Sequence, residues 1–306
     1  AVMAVGAILV IKAKMSAGGI IATSILTGKA LAPFDQAVTI YKALINTKKS
    51  YSRLVENLKT HEDKEEKLEL PEPQGKIQLD KIFYKIPNTD QTVIKGINIT
   101  INPGEIIGII GPSGSGKTTL ARLMTDVLTP DKGSVRLDGS DLTNQDSEEI
   151  GKYIGYLPQD IELFEGTIKD NIARMKEKVK AEEIVEAAKF AGIHDLIIKL
   201  PKSYETNALT LSAGQRQRIG LARAFFRKPK FVILDEPNSN LDTEGENALM
   251  NTIGNARKEK ITTIIISHRP NILNIVDKIL VLHDGEAKIF DESKKVIKQM
   301  SGGKNA

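Results

Sequence analysis

The octet Gly111-Pro112-Ser113-Gly114-Ser115-Gly116-Lys117-Thr118 constrains this chain more than any other feature. It fits the pattern G-x-x-x-x-G-K-[ST] and follows the uninterrupted apolar run Ile106 to Ile110, which reads as a strand buried on both faces. After it, Leu120, Leu123, Met124, Val127 and Leu128 recur at helical spacing. Strand, glycine loop and helix in that order make a cradle for phosphate. Glycines let successive backbone N–H groups converge on an anion with no Cβ in the way, and the helix N-terminus adds a favourable dipole. The pattern therefore predicts that Gly111 through Thr118, with Thr119 next in the chain, hold a nucleoside triphosphate. Lys117 is expected to reach the β- and γ-phosphates and the Thr118 hydroxyl to ligate Mg²⁺.

Three other apolar runs end in polar residues suited to the same chemistry. Phe231-Val232-Ile233-Leu234 leads into Asp235-Glu236-Pro237. Asp235 is expected on the metal side, and Glu236 as the base that orients and deprotonates an attacking water. Tyr153 to Leu157 is followed by Pro158 and Gln159, and Ile261 to Ser267 by His268. Ligands of open α/β sheets bind outside the carboxyl ends of the strands. Gly111, Gln159, Asp235 and His268 are thus expected to converge, with His268 bonding the γ-phosphate and Gln159 touching Mg²⁺ or the water. Leu211-Ser212-Ala213-Gly214-Gln215 precedes the helical run Arg216 to Phe226, and Ser212 and Gln215 have capping-box spacing. An ordinary capped helix and a second phosphate-binding surface both satisfy that motif. The second reading implies two copies of the chain with nucleotide between them, because the glycine loop already covers one face of the ligand.

The rest of the 306 residues sets limits. The hydrophobic share of 41% and charged share of 27% are those of a globular chain. A net charge of +4 is too weak to argue for nucleic acid, and no Trp with 5% aromatic residues leaves no base-stacking platform. With no cysteine, disulfides and thiolate metal sites are excluded. Residues 1–58 begin with an uncharged apolar run to Ile11 and a second apolar stretch from Gly18. Lys42, Lys48, Lys49 and Arg53 then follow with no acid among them. They read either as the end of one membrane helix plus a last membrane helix with a basic cytoplasmic extension, or as two amphipathic helices of a soluble domain. The charge-dense 59–75 reads as a linker, and from Lys76 onward β-rich runs alternate with helical patterns, the mark of a largely parallel α/β sheet.

These motifs together, in this order over 76–290, resemble the nucleotide-binding domain of ABC transporters. In that family's terms they are Walker A at Gly111–Thr118, the Q-loop at Gln159, the signature at Leu211–Gln215, Walker B at Phe231–Glu236, the D-loop Ser239-Asn240-Leu241-Asp242 and the switch His268. "GYLPQDIELFEGTIKDNIARM", "DEPNSNLD" and "SHRPNILNIVDKILVL" are similar to the ATPase/permeases of bacterial type I secretion, and "GGIIATSILTGKALAPFDQAV" to that family's last membrane helix. The resemblance implies an α/β P-loop NTPase of ABC type over 76–306, with a mixed sheet core and a helical subdomain, preceded by membrane helix. It implies ATP and Mg²⁺ as cofactors and a head-to-tail homodimer in the bacterial inner membrane, its nucleotide-binding domain on the cytoplasmic side. Ser212, Gly214 and Gln215 of the signature would be lent to the partner's nucleotide, and Asp242 would be a further cofactor-binding residue. A secreted polypeptide would be the cargo, a periplasmic adaptor and an outer-membrane channel the further partners, and nucleic acid no partner. An exporter of lipid or small molecules, or a soluble ABC ATPase, would carry the same engine. Three departures stand out: Ala213 where glycine is usual, Ile86 where an aromatic residue usually stacks on adenine (Tyr84 lies two residues earlier), and a short stretch from Tyr204 to Thr210 before the signature.

Overall fold

A computed structural model describes residues 2–62, 72–87 and 89–302. The chain forms two compact units, 1–66 and 67–306.

In the first unit, helix α1 (Val2–Ile11) and helix α2 (Ala17–Glu62) meet where Gly6 lies against Ile20. The span Ala17–Val55 is long and apolar enough to cross a membrane. Ile21, Leu26 and Phe34 on it are more than half exposed. The hydroxyls of Thr23, Thr27 and Thr39 donate to the carbonyls of Gly19, Thr23 and Asp35, one turn back, so they need no water. At 1.5 Å per residue α2 is about 69 Å long, roughly twice a bilayer's ~30 Å hydrocarbon core. It continues to Glu62, into the segment read as linker; residues 63–71 of that linker lie outside the described residues.

The second unit opens with β1 (Ile77–Lys85), β2 (Thr92–Ile101), β3 (Ile106–Ile110), α3 (Lys117–Met124), β4 (Lys132–Leu137), β5 (Ser140–Asp141), α4 (Ser147–Ile150) and β6 (Ile154–Leu157). Helices α5 (Ile168–Ile172), α6 (Ala181–Phe190), α7 (His194–Ile198) and α8 (Ala213–Ala224) follow. The chain then forms β7 (Phe231–Asp235), α9 (Thr243–Lys258), β8 (Thr262–Ile266), α10 (Pro270–Leu273), β9 (Lys278–His283), β10 (Glu286–Glu292) and α11 (Ser293–Gly302). Two sheets result. One is six-stranded in the order β10-β9-β3-β8-β7-β6, parallel except for β10. The other, β2-β1-β4-β5, is antiparallel. The expected parallel sheet is therefore one layer only, and residues 77–141 supply a second sheet as well as α3.

Pleat alternation explains the uninterrupted apolar runs. Ile107, Ile109, Ile233, Ile264 and Ile266 point into a core shared with α3 and the antiparallel sheet. Their neighbours Ile106, Ile110, Val232, Leu234 and Ile265 point into a second core, closed by the helices from α5 to α9. Helix α3 stops earlier than its apolar spacing suggests. Asp126 adopts a left-handed φ of 58°, and Val127 is left 59% exposed. Helix α8 starts at Ala213, ahead of the expected Arg216, because Ser212 and Gln215 close a reciprocal capping box.

Arg174, just past α5, is half-buried and gives its hydrogen bonds to carbonyls. Its guanidinium donates to the carbonyls of Gly151, Ile154, Arg223 and Ala224 at 2.7–3.2 Å, joining the start of β6 to the C-terminal end of α8. Burial lowers its pKa to about 10, so it stays charged at neutral pH. Carbonyls at a helix C-terminus favour a cation. Replacing Arg174 by Met strips several buried carbonyls of their donor at once. It is expected to destabilise the fold by about 3 kcal/mol, read as a lowered denaturant midpoint.

Candidate functional site: a phosphate cradle at the strand tips

Register brings the polar residues to one edge. Ile109 of β3 pairs with Ile266 of β8, Ile266 with Asp235 of β7, and Leu234 of β7 with Leu157 of β6. Gly111, His268 and Gln159 each lie two residues beyond a paired position, and Glu236 one beyond. The four strands are neighbours and parallel, so their tips form one row about 15 Å long at ~4.8 Å per strand. All four sequence-predicted tip residues fall in it.

The glycine loop runs from β3 into α3. Gly116 is the N-cap of α3, with a left-handed φ of 98° and no side-chain cap. A Cβ there would meet Ile94 at 2.9 Å. With no side-chain acceptor over the helix end, its first-turn amides are left for an external anion. Pro112, Ser113 and Gly114 are exposed, Lys117, Thr118 and Thr119 half-buried, and the buried Ser115 hydroxyl lacks a hydrogen-bond partner. The Lys117 ammonium donates to the carbonyls of Gly111 (2.8 Å) and Pro112 (2.9 Å), which holds the cation over the loop. Burial lowers its pKa, against the pull of the Glu236 and Asp235 carboxylates.

Asp235 is 1% exposed, and its Oδ2 has no hydrogen-bond partner. Burial raises its pKa; the Thr118 hydroxyl opposes the rise and the Glu236 carboxylate adds to it. A buried unpartnered carboxylate oxygen beside a hydroxyl is a hard-oxygen donor pair of the kind Mg²⁺ uses. Among the described residues no group of three His, Cys, Asp or Glu forms a metal cage. The donors present fit a cation that takes few protein ligands and completes its shell with phosphate and water. Glu236 sits beside Asp235 in a left-handed conformation (φ 47°) uncommon for a non-glycine residue. Its amide donates to the Ile266 carbonyl, and its Oε2 accepts from Gln159 Nε2 at 3.5 Å. His268 is exposed at the end of β8.

The signature is built differently. The hydrogen bonds of Ser212 and Gln215 close on each other, and Ser212 is exposed. A Cβ on Gly214 would lie 2.9 Å from the Asn240 carbonyl, so glycine lets the D-loop approach the helix end. Asp242 caps α9 through the Gly245 amide and pairs with the buried Arg218; the amide bond first and the Arg218 bond second hold its pKa down. Of the two candidates for the adenine side, Tyr84 is half-buried opposite Ile94, packed on the core under the glycine loop, whereas Ile86 is exposed. Sequence reasoning missed Gln217, whose Nε2 donates to the Pro237 carbonyl, and Arg218. Both are buried polar residues within a helical run, and periodicity carries no signal for them.

A carboxylate whose pKa is raised in the fold weakens stability as pH climbs through the interval above its ordinary value, because the folded state holds the proton longer. Asp235→Asn removes that charge. Without added metal at neutral pH it is expected to raise the melting midpoint by about 2–4 °C while abolishing Mg²⁺-dependent nucleotide turnover, as read by calorimetry and phosphate release.

A family profile described as ABC transporter matches residues 94–239. The type I secretion system ATP-binding protein PrsD of Rhizobium meliloti (strain 1021) is 44% identical over 98% of this chain and 52% of its own length. The cyclolysin secretion/processing ATP-binding protein CyaB of Bordetella pertussis (strain Tohama I) is 35% identical over 93% of this chain and 41% of its own. Among solved structures, a bacterial Atm1-family ABC exporter with ATP bound superposes with a TM-score of 0.70 at 26% identity, over 96% of this chain and 54% of that one. The chain thus spans about half the length of these relatives. The chain carries an ABC transporter ATP-binding domain.

Proposed function

We propose that this chain is the ATP-hydrolysing part of a homodimeric exporter that drives polypeptide secretion. The observation that carries the ATPase reading is the row of strand tips, where the glycine loop, Asp235, Glu236 and Gln159 meet. The triphosphate would lie on the amides of 111–119, with Lys117 leaving the loop carbonyls for the β- and γ-phosphates. Thr118 and Asp235, with Gln159 at the rim, would hold Mg²⁺, which when bound neutralises charge on the phosphate oxygens. Glu236 orients and deprotonates the attacking water, and His268 bonds the γ-phosphate. Ser212, exposed and bonded only within its own helix cap, would close with Gly214 on the nucleotide of a second copy, and their departure after hydrolysis would reopen the pair. Binding on one copy and release from the other would move the membrane helices.

Polypeptide cargo rests on the identity to PrsD and CyaB, whose names describe secretion. The apolar α2 supports a membrane location, and Lys42, Lys48, Lys49 and Arg53 favour the bacterial inner membrane's cytoplasmic side for the second unit. A periplasmic adaptor and outer-membrane channel would complete such a pathway. A second reading, export of lipid or a small molecule, would use the same ATP-binding engine. Stimulation of turnover by a secreted polypeptide and not by lipid separates the two.

Glu236→Gln is expected to bind Mg·ATP with wild-type affinity and to release phosphate about 10²–10⁴-fold more slowly. Phosphate release near the wild-type rate would remove Glu236 as the base.

A further inference from the structure

The loop from Glu236 to Asp242 is tied to a different part of the molecule at almost every step. Glu236 meets Gln159, the Pro237 carbonyl meets Gln217, the Asn240 carbonyl lies against Gly214, and Asp242 pairs with Arg218. A further tie crosses from this loop to the end of β8: the Ser267 hydroxyl donates to Asn238 Oδ1 at 3.1 Å. Ser267 is 1% exposed and precedes His268. Its Oγ also accepts from the Arg269 amide at 3.2 Å, and its own amide points to the Ile109 carbonyl at 3.4 Å. The hydroxyl thus spends its one proton on Asn238 and a lone pair on the backbone just past His268.

We propose that Asn238 is a positioning residue for this ATPase: by fixing Ser267 it sets where His268 stands relative to Glu236, and so links the γ-phosphate end of the site to the loop that touches the signature helix. The placement rests on the geometry, and its consequence for turnover rests on the ATPase reading above. Three features argue for a positioning role over simple packing. Asn238 is half-buried, and its side-chain oxygen is turned onto the buried Ser267 hydroxyl. The bond joins two segments that leave different strands, β7 and β8, just beyond their last paired residues. Those two segments carry the base and the γ-phosphate histidine. When the tie is cut, each strand tip keeps its own ladder bonds, but the spacing of Glu236 and His268 is no longer set by a side chain.

Two readouts on the full chain in detergent test this. In the first, Asn238→Ala and Ser267→Ala each lower kcat about tenfold with KM for ATP within about twofold, and the double variant is no slower than either single one, because both cut one bond. The second needs no turnover. The chain has 4 histidines, so selective imidazole labelling yields a simple spectrum. Either substitution shifts the His268 resonance and leaves those of His194 and His283 in place. Wild-type kcat in Asn238→Ala, losses that multiply to about a hundredfold in the double variant, or an unmoved His268 resonance would overturn the proposal. Should the wild-type chain fail to hydrolyse ATP while His268 still responds, the ATPase reading falls and the positional link stands.

Discussion

Because β3, β8, β7 and β6 pair in parallel with matched ends, the residues that follow them have no choice but to share one edge. The glycine loop, His268, the two carboxylates and Gln159 leave four separate stretches of sequence, yet the backbone ladder sets their order along the row. The apolar runs behind them serve the same end. Each strand is buried on both faces, so a register slip would move whole sets of isoleucines into the wrong core. The placement of the chemistry is thus protected by hydrophobic packing several residues away from it.

Electrostatics at that edge is deliberately uncomfortable. Asp235 is buried with one oxygen unsatisfied, Lys117 is partly desolvated, and Glu236 occupies a left-handed backbone conformation. Each is unfavourable in the bare fold, and a bound cation would relieve the carboxylate as phosphate would relieve the ammonium. Stored discomfort of this kind is what turns nucleotide binding into a driving force. Arg174 shows the opposite solution, a half-buried cation bonded to four carbonyls, and it stands where the helical layer meets the sheet.

Much of this was readable in the chain. The glycine loop, the strand-end carboxylates and the Ser212–Gln215 cap are local patterns, and the structure places them as read. What stayed hidden is long-range or irregular. The antiparallel sheet of β1, β2, β4 and β5 is held by register with bulges near Asp80 that no short window reveals. The early end of α3 depends on a single left-handed Asp126. The pairing of Asp242 with Arg218, and of Asn238 with Ser267, joins residues 24 and 29 apart in sequence. Polar groups buried in a helix, such as Gln217, look like ordinary surface until their partner is seen.

The central claim is that nucleotide is held between two copies, one lending Lys117 and the other Ser212. Sedimentation of the Glu236→Gln chain with Mg·ATP tests it most directly, alongside the same variant carrying Ser212→Arg. The account predicts a two-copy species that forms only with nucleotide and is lost when Ser212 is replaced. A single-copy species at every concentration, or a pair indifferent to Ser212, would contradict it.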